Sequence, residues 1–377
     1  MKTVLSTIEW VRRWVPVLVI TAAAMGLLGF AARWTLKRAR PGRRWIAWTF
    51  YAFCFLWLAA GAALTSQRLA YRFAPETSQW IIAGALLIAI FSTSVFFNEW
   101  LVRHPRFDHG RRILVAAPAA AAGYGVFLER LNIRLREVPI RIKGLPKDLD
   151  GVRIAQLSDI HRGPFFGRRH LDHAVALANE TRPHLTVVTG DLITRKGDPL
   201  DDCLASLGRL RAYSGVWGCM GNHEIYAGGE DYTSEHGWRI GLRFLRNENE
   251  LLRFGDAWLN LAGVDYQRMH LPYLVGAEEW VRKDALNVLL SHSPDVFPVA
   301  VEKGYQLTLA GHTHGGQINV EILNDNVNLA RFFTPYVVGR YEKDGASIYV
   351  TPGLGTVGLP LRLGAPPEVT LIRLCAV

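Results

Sequence analysis

Five short stretches of this chain set Asp, Asn or His directly beyond an apolar run, and these are the residue types that hold divalent cations. Ser158-Asp159-Ile160-His161 follows the run 152–157, and Gly190-Asp191 follows 185–189. Gly221-Asn222-His223-Glu224 follows 216–220, Ser291-His292 follows 287–290, and Gly311-His312-Thr313-His314-Gly315-Gly316-Gln317 follows 307–310. A lone Asp after a strand is ordinarily a turn former or a helix cap, and a lone His is ordinarily surface or satisfied core. Five ordered clusters at five such positions do not reduce to that reading. Carboxylates, imidazoles and one amide together suit a pair of divalent transition ions better than a single structural zinc, and no thiolate takes part.

Such residues must be brought together by the elements that carry them. The runs 152–157, 185–189, 216–220, 258–264, 287–290, 307–310, 347–350 and 369–373 read as strands, and the amphipathic stretches 168–181 and 198–212 read as helices. Strands alternating with helices predict an α/β domain whose sheets are covered. Ligands of open α/β sheets collect at the carboxyl ends of strands, so the clusters can converge on one sheet edge. The pairs Asp159/His161 and His312/His314 have the spacing that faces one side if the extended geometry continues. The intervening glycines allow backbone to pass close to an ion or a phosphate.

Competing motifs fail in context. Residues 353–358 match GxGxxG after a strand, but Leu359-Pro360 follows and no room remains for a helix and a βαβ unit, so this is a loop. His223-Glu224 does not continue to HExxH, and neither GxSxG nor a P-loop is present.

The ordered set Asp159-x-His161, Gly190-Asp191, Gly221-Asn222-His223-Glu224, Ser291-His292 and Gly311-His312-x-His314 resembles the calcineurin-like metallophosphoesterases over about residues 145–375. The run 311–317 and the tail 358–368 resemble the membrane-tethered bacterial branch of that family. The resemblance implies a layered α/β sandwich of two facing sheets, holding two divalent ions (manganese, iron, zinc or magnesium). It implies that one ion takes Asp159, His161, Asp191 and His314. The other takes Asp191 as bridge with Asn222, His292 and His312. His223 would lie beside them without binding either ion, as the catalytic residue placed to protonate the leaving group or steady the transition state. Where many relatives carry a further Asp three residues after the second-motif Asp, Thr194 stands here, a change expected to tune and not to abolish the site. Arg162 and Arg195, close behind the first two motifs, are candidates to hold a phosphate oxygen.

The rest of the chain is of another kind. Residues 1–143 hold 20 Lys and Arg against 6 Asp and Glu, whereas 144–377 hold 23 against 27. The basic excess thus lies off the α/β domain, which argues against a nucleic-acid partner. Four apolar stretches, 15–32, 46–64, 80–97 and 113–128, approach the roughly 20 residues that cross a bilayer. Trp14, Trp34, Trp45, Trp80 and Trp100 sit near their edges, as interfacial aromatic rings do. The fourth is shorter and contains Pro118. The expected organisation is a helical transmembrane region of about four spans over 1–143 and a catalytic domain over 144–377.

Basic loops are expected on the cytoplasmic side of the inner membrane. Arg33, Lys37, Arg38, Arg40, Arg43 and Arg44 between the first two spans, and Arg103, Arg106, Arg111 and Arg112 between the last two, place the domain outside the cytoplasm. If the fourth stretch does not span, the domain lies inside. Cys54, Cys203, Cys219 and Cys375 show no CxxC spacing and predict no disulfide framework. The expected function is hydrolysis of a phosphate ester or anhydride of a phosphorylated, lipid-linked substrate held at the bilayer. Candidates are a phospholipid or a molecule of the UDP-2,3-diacylglucosamine type, which relatives in the tethered branch cleave. That substrate is cytoplasmic and conflicts with the charge-based topology. The rival is a membrane sensor that binds a phosphorylated ligand without turnover.

Overall fold

Apolar runs of four to six residues bounded by glycine or polar turns form strands buried on both faces when each face has a layer to pack against. That is the architecture here. The computed structural model describes residue 117 and residues 120–267, 272–322 and 325–377. The compact unit that carries the clusters runs Ala121–Val377.

One six-stranded sheet contains β1 (Arg134–Ile142), β2 (Arg153–Leu157), β3 (Leu185–Thr189), β4 (Val216–Cys219) and β5 (Leu242–Phe244). Its sixth strand is the last of the chain, β14 (Glu368–Ala376), and the order is β1-β14-β2-β3-β4-β5. The strands β2 to β5 are mutually parallel; β14 runs antiparallel to β2 and parallel to β1. The second six-stranded sheet contains β6 (Glu248–Phe254), β7 (Ala257–Gly263), β8 (Ala285–Leu290), β9 (Leu307–Ala310), β12 (Gly339–Lys343) and β13 (Ala346–Val350), in the order β12-β13-β9-β8-β7-β6. A small hairpin, β10 (Asn319–Ile322) and β11 (Asp325–Asn328), is inserted after β9.

The two sheets face each other across one apolar core. Ile154, Leu185 and Val187 of the first sheet meet Leu261, Val288, Leu290, Leu307 and Leu309 of the second, all fully buried. The alternate residues of the same strands point outward. Ala155, Leu157 and Val188 pack under α1 (Arg168–Glu180) and α2 (Leu200–Leu207) through Leu171, Ala174, Val175 and Leu204. On the far side Leu289 packs against Val296 and Ala300, the latter on the helix Phe297–Lys303. The expected layered two-sheet sandwich is therefore present. The strands and helices read from the sequence recur, the largest difference being the second helix, which ends at Leu207 where 212 was expected.

Two expectations change. The stretch 134–150, which spans the expected boundary between residues 143 and 144, contributes β1, an edge strand whose Val138, Ile140 and Ile142 alternate into the inter-sheet core. The domain's sheet thus begins ahead of residue 144. The clusters also do not share one sheet edge: β2, β3 and β4 end in the first sheet, β8 and β9 in the second. Of the four apolar N-terminal stretches, all but the end of the fourth lie outside the described residues. Residues 120–127 are helical. Among the described residues no helix is long and apolar enough to cross a membrane.

Because the site straddles two sheets, their contact is structural support for it. Leu261→Ala, at a fully buried position between the sheets, is expected to cost about 2–5 kcal/mol, read from chemical denaturation of the full-length protein.

Candidate metal centre

The parallel strands of both sheets deliver their carboxyl ends to one place, and the chain must turn sharply there. Asp159, His161, Asp191, His312 and His314 all have φ between 45° and 74°. The extended geometry assumed from the i, i+2 spacing therefore does not continue past the strands. The side chains converge because the backbone turns left-handed at each of them, a conformation that non-glycine residues rarely adopt. Glycines provide the clearance. A Cβ on Gly221 would meet Asp191 Oδ1 at 2.1 Å, one on Gly311 would meet Asp159 Oδ2 at 2.3 Å, and one on Gly353 would meet Asp159 Cβ at 2.5 Å.

Asp159, His161 and His314 form one cluster and Asp191, His292 and His312 another, and a third grouping of His161, Asp191 and His223 overlaps both. His161 Nε2 lies 3.1 Å from His314 Nε2, and His314 Nε2 lies 3.4 Å from Asp159 Oδ1. His292 Nε2 lies 3.1 Å from Asp191 Oδ2. Asp191 Oδ2 is also 3.5 Å from His161 Nε2, so a single carboxylate oxygen faces both clusters. His223 Nε2 stands 4.0 Å from that oxygen at the rim, and its side chain is 20% exposed where the others are nearly or fully closed to solvent.

Tautomers follow from the outer hydrogen bonds. His292 Nδ1 faces the Thr189 carbonyl at 2.7 Å and donates there, which leaves Nε2 facing inward toward Asp191. His161 Nδ1 faces Thr194 Oγ1 at 3.0 Å, and His223 Nδ1 donates to the Thr194 carbonyl. His161 Nε2 and His314 Nε2, 3.1 Å apart, form a hydrogen bond that holds one proton between them, the place a cation would take. Asn222 Oδ1 is buried with no hydrogen-bond partner, and His292 Nε2 meets only the Asp191 carboxylate. An unpartnered amide oxygen, and an imidazole nitrogen that gives up its proton on binding, are groups a divalent ion satisfies, so the donor set fits two such ions.

The electrostatics of the bare protein point the same way. Burial pushes His161 down to about 3 and His312 down to about 4, and depresses His314 well below its ordinary value, so these imidazoles are neutral. Burial raises Asp159 to about 6, partly offset by the His292 charge. Burial opposes the charge on both Asp191 and His292, but their attraction prevails. His292 is pushed up to about 10, and Asp191 is held far below the carboxylate range by His292.

Several contributors had no assigned role in the sequence reading. Glu224, fully buried, accepts the backbone N–H groups of Asp191, Leu192 and Gly221 at 2.7–2.9 Å and so ties the second and third motifs together. The glycine-rich loop 353–358 straps the first motif: Leu354 and Gly355 donate their N–H groups to the Ser158 and Asp159 carbonyls. Arg362, also fully buried, holds that loop by donating to the Gly355, Pro352 and Ala365 carbonyls. Burial lowers its pKa to about 10 against the Asp159 charge, which raises it. Arg362 lies in the tail singled out by its family pattern, and Glu224 ends the Gly-Asn-His-Glu motif, so both had a sequence signal. Arg162 spends Nε and Nη2 on Asp202 and Nη1 on the Gly163 and Phe166 carbonyls. Arg195 lies 3.7 Å from Asp198.

Two sheets, converging carboxylate and imidazole clusters and a shared Asp define a dinuclear metallohydrolase type of site. Residues 152–316 match the calcineurin-like phosphoesterase family. The chain is 30% identical over 268 residues to an uncharacterized metallophosphoesterase, YkuE, of Bacillus subtilis, covering 70% of this chain and 93% of that one. It is 33% identical over 257 residues to a transmembrane protein with metallophosphoesterase domain of Bos taurus, covering 64% of this chain and 56% of that protein. A Danio rerio protein of the same description is 31% identical over 270 residues, covering 68% of this chain. The chain spans 56% and 60% of the length of these two vertebrate relatives. A solved phosphopantetheinyl hydrolase of Mycobacterium tuberculosis aligns at 14% identity over 55% of this chain and 91% of that one, with a TM-score of 0.38. The chain belongs to the calcineurin-like phosphoesterases, a family that works with divalent metals, typically two.

Ion and proton compete for His292 Nε2, so acid favours the proton. Loading the full-length protein with manganese near pH 8 is expected to release about one proton, with affinity tightening as the pH rises. Calorimetry in buffers of different protonation enthalpy reads both, and a pH-independent affinity would contradict the charged His292–Asp191 pair. Thr194→Val removes the hydroxyl beside His161 and keeps the carbonyl that holds His223. It is expected to weaken metal binding about 10–100-fold, measured by competition with a chromophoric chelator.

Proposed function

We propose that this chain is a membrane-anchored phosphoesterase that hydrolyses a phosphate ester or pyrophosphate bond at this centre. The observation that carries the reading is Asp191 Oδ2, which faces both clusters at 3.1 and 3.5 Å as a bridging ligand must. Asp159, His161, Asp191 and His314 would hold one ion, and Asp191, Asn222, His292 and His312 the other. Two ions in such a site supply Lewis acidity toward phosphoryl oxygens and lower the pKa of an attacking water.

The protein's own groups do the rest. Asp191 fixes the spacing of the two clusters, and Glu224 fixes Asp191. His223 is held by the Thr194 carbonyl through Nδ1 and by its backbone N–H on Asp191 Oδ1 at 2.9 Å, so its Nε2 faces the partly open rim. From there a protonated His223 passes its proton to the leaving oxygen, a contribution of about 10²–10⁴-fold. Arg162 and Arg195 are the proposed phosphate contacts; each is engaged, Arg162 by Asp202 and Arg195 by Asp198, and would exchange that partner for the phosphate.

The apolar stretches of residues 1–143 and the transmembrane description of the two vertebrate relatives support the anchor. Tethering at a bilayer favours a lipid-linked phosphate, and the basic loops favour a domain outside the cytoplasm of a plasma or inner membrane. A reporter fused after Val377 reads the side.

The enzyme reading is tested by manganese-loaded full-length protein on bis(p-nitrophenyl) phosphate. Wild type is expected to turn over and Asp191→Ala to lose both metal and activity. His223→Ala should keep its metal and lose about 10²–10⁴-fold in kcat. Full activity in His223→Ala would remove its proton role. Metal-loaded wild type that binds phosphate without any turnover would leave a ligand-binding sensor instead.

A further inference from the structure

Two tyrosines that the hydrolytic chemistry does not use stand beside the centre. Tyr226 lies on the short helix α3 (Asn222–Ala227), three residues beyond His223, and that spacing puts both on one helix face. Their rings are 6.0 Å apart at 65°. Tyr266 comes from the other sheet, just after β7, and its ring lies 5.5 Å from His312 and 6.2 Å from His292. The two tyrosine rings meet at 6.4 Å and 78°. His223, Tyr226, Tyr266 and His312 thus form an unbroken arc of rings that begins at the proton donor. Tyr226 remains 68% exposed, so a large aromatic surface at the rim of a charged site is left uncovered by the fold.

We infer that Tyr226 and Tyr266 form a subsite for a flat, π-bearing substituent of the phosphate, an aryl group or a nucleobase, on the leaving-group side. The hydrolytic reading supplies only the side, through His223; the subsite itself stands on the ring geometry. Two rings near a right angle make a corner in which a flat group stacks on one and meets the edge of the other, the arrangement aromatic pairs prefer. The two side chains hydrogen-bond to each other, and this polar edge to the corner suits a heteroaromatic ring better than an acyl chain. Base–aromatic stacking of this kind changes affinity by roughly tenfold or more per ring.

The test needs no turnover. Manganese-loaded full-length protein is titrated with phenylphosphonate and methylphosphonate, and with uridine 5′-monophosphate and ribose 5-phosphate. Wild type is expected to prefer the ring-bearing member of at least one pair by about tenfold. The pair that responds tells a small aryl group from a nucleoside. Tyr226→Ala and Tyr266→Ala should erase the preference while leaving methylphosphonate binding unchanged, which doubles as the folding control. Tyr226→Phe, which keeps the ring, should retain it. Equal affinity within both pairs in wild type, or a preference that survives both alanine variants, would overturn the subsite. Hydrolysis without ring preference removes the subsite alone, and ring preference without hydrolysis removes the enzyme reading alone.

Discussion

A single buried carboxylate organises this molecule's chemistry. Asp191 sits closed to solvent among imidazoles, and an unpaired charge there would carry a large desolvation cost. It is offset in three ways. His292 faces it from the second sheet at 3.1 Å, the His223 backbone donates to its other oxygen, and Glu224 fixes the backbone that carries it. The arrangement is only partly satisfied in the protein alone, because Asn222 Oδ1 is buried without a hydrogen-bond partner. Cations complete it.

Holding that carboxylate requires backbone that is itself unfavourable. Five of the proposed ligands have left-handed φ values, each costing about 1–3 kcal/mol unless the surroundings enforce it. The surroundings do so from several directions. Asp159 and His161 donate their N–H groups to the Gly190 and Asp191 carbonyls, so the first two motifs brace each other. His312 donates its N–H to both oxygens of Asp159 at 3.0 Å, which joins the sheets across the site. Arg362 and the 353–358 loop close the same region from beneath. Among the described residues, half of the ten non-glycine residues with left-handed φ are these ligands, and the hydrogen bonds that hold them need no bound ion.

The position of Thr194 illustrates how a departure from a family pattern can be absorbed. Its hydroxyl meets His161 and its carbonyl receives His223, so one residue orients a proposed ligand and the proposed proton donor together. Its own N–H is in turn held by Asp198 Oδ2 at 3.0 Å. A neutral hydroxyl here leaves His161 without the second carboxylate charge that an Asp would bring. That lowers the basicity of the imidazole without changing its direction.

Sequence alone determined the element types of most of the core and the identity of the converging residues, because both are local properties. An apolar run between polar turns is a buried strand wherever it lies, and Asp, Asn or His beyond it is a ligand type in any fold. The alternation of Val138, Ile140 and Ile142 was equally local and would have revealed the edge strand β1. Only the tertiary structure decided that three of the five clusters come from one sheet and two from the other, since strand order depends on pairings between residues over a hundred positions apart, as in β14 with β2. It alone turned Asp159, His161, Asp191, His312 and His314 left-handed, placed Asp191 between two clusters, and brought Tyr266 against His312. Those outcomes depend on clearance and contact between distant segments, and spacing along the chain carries no record of either.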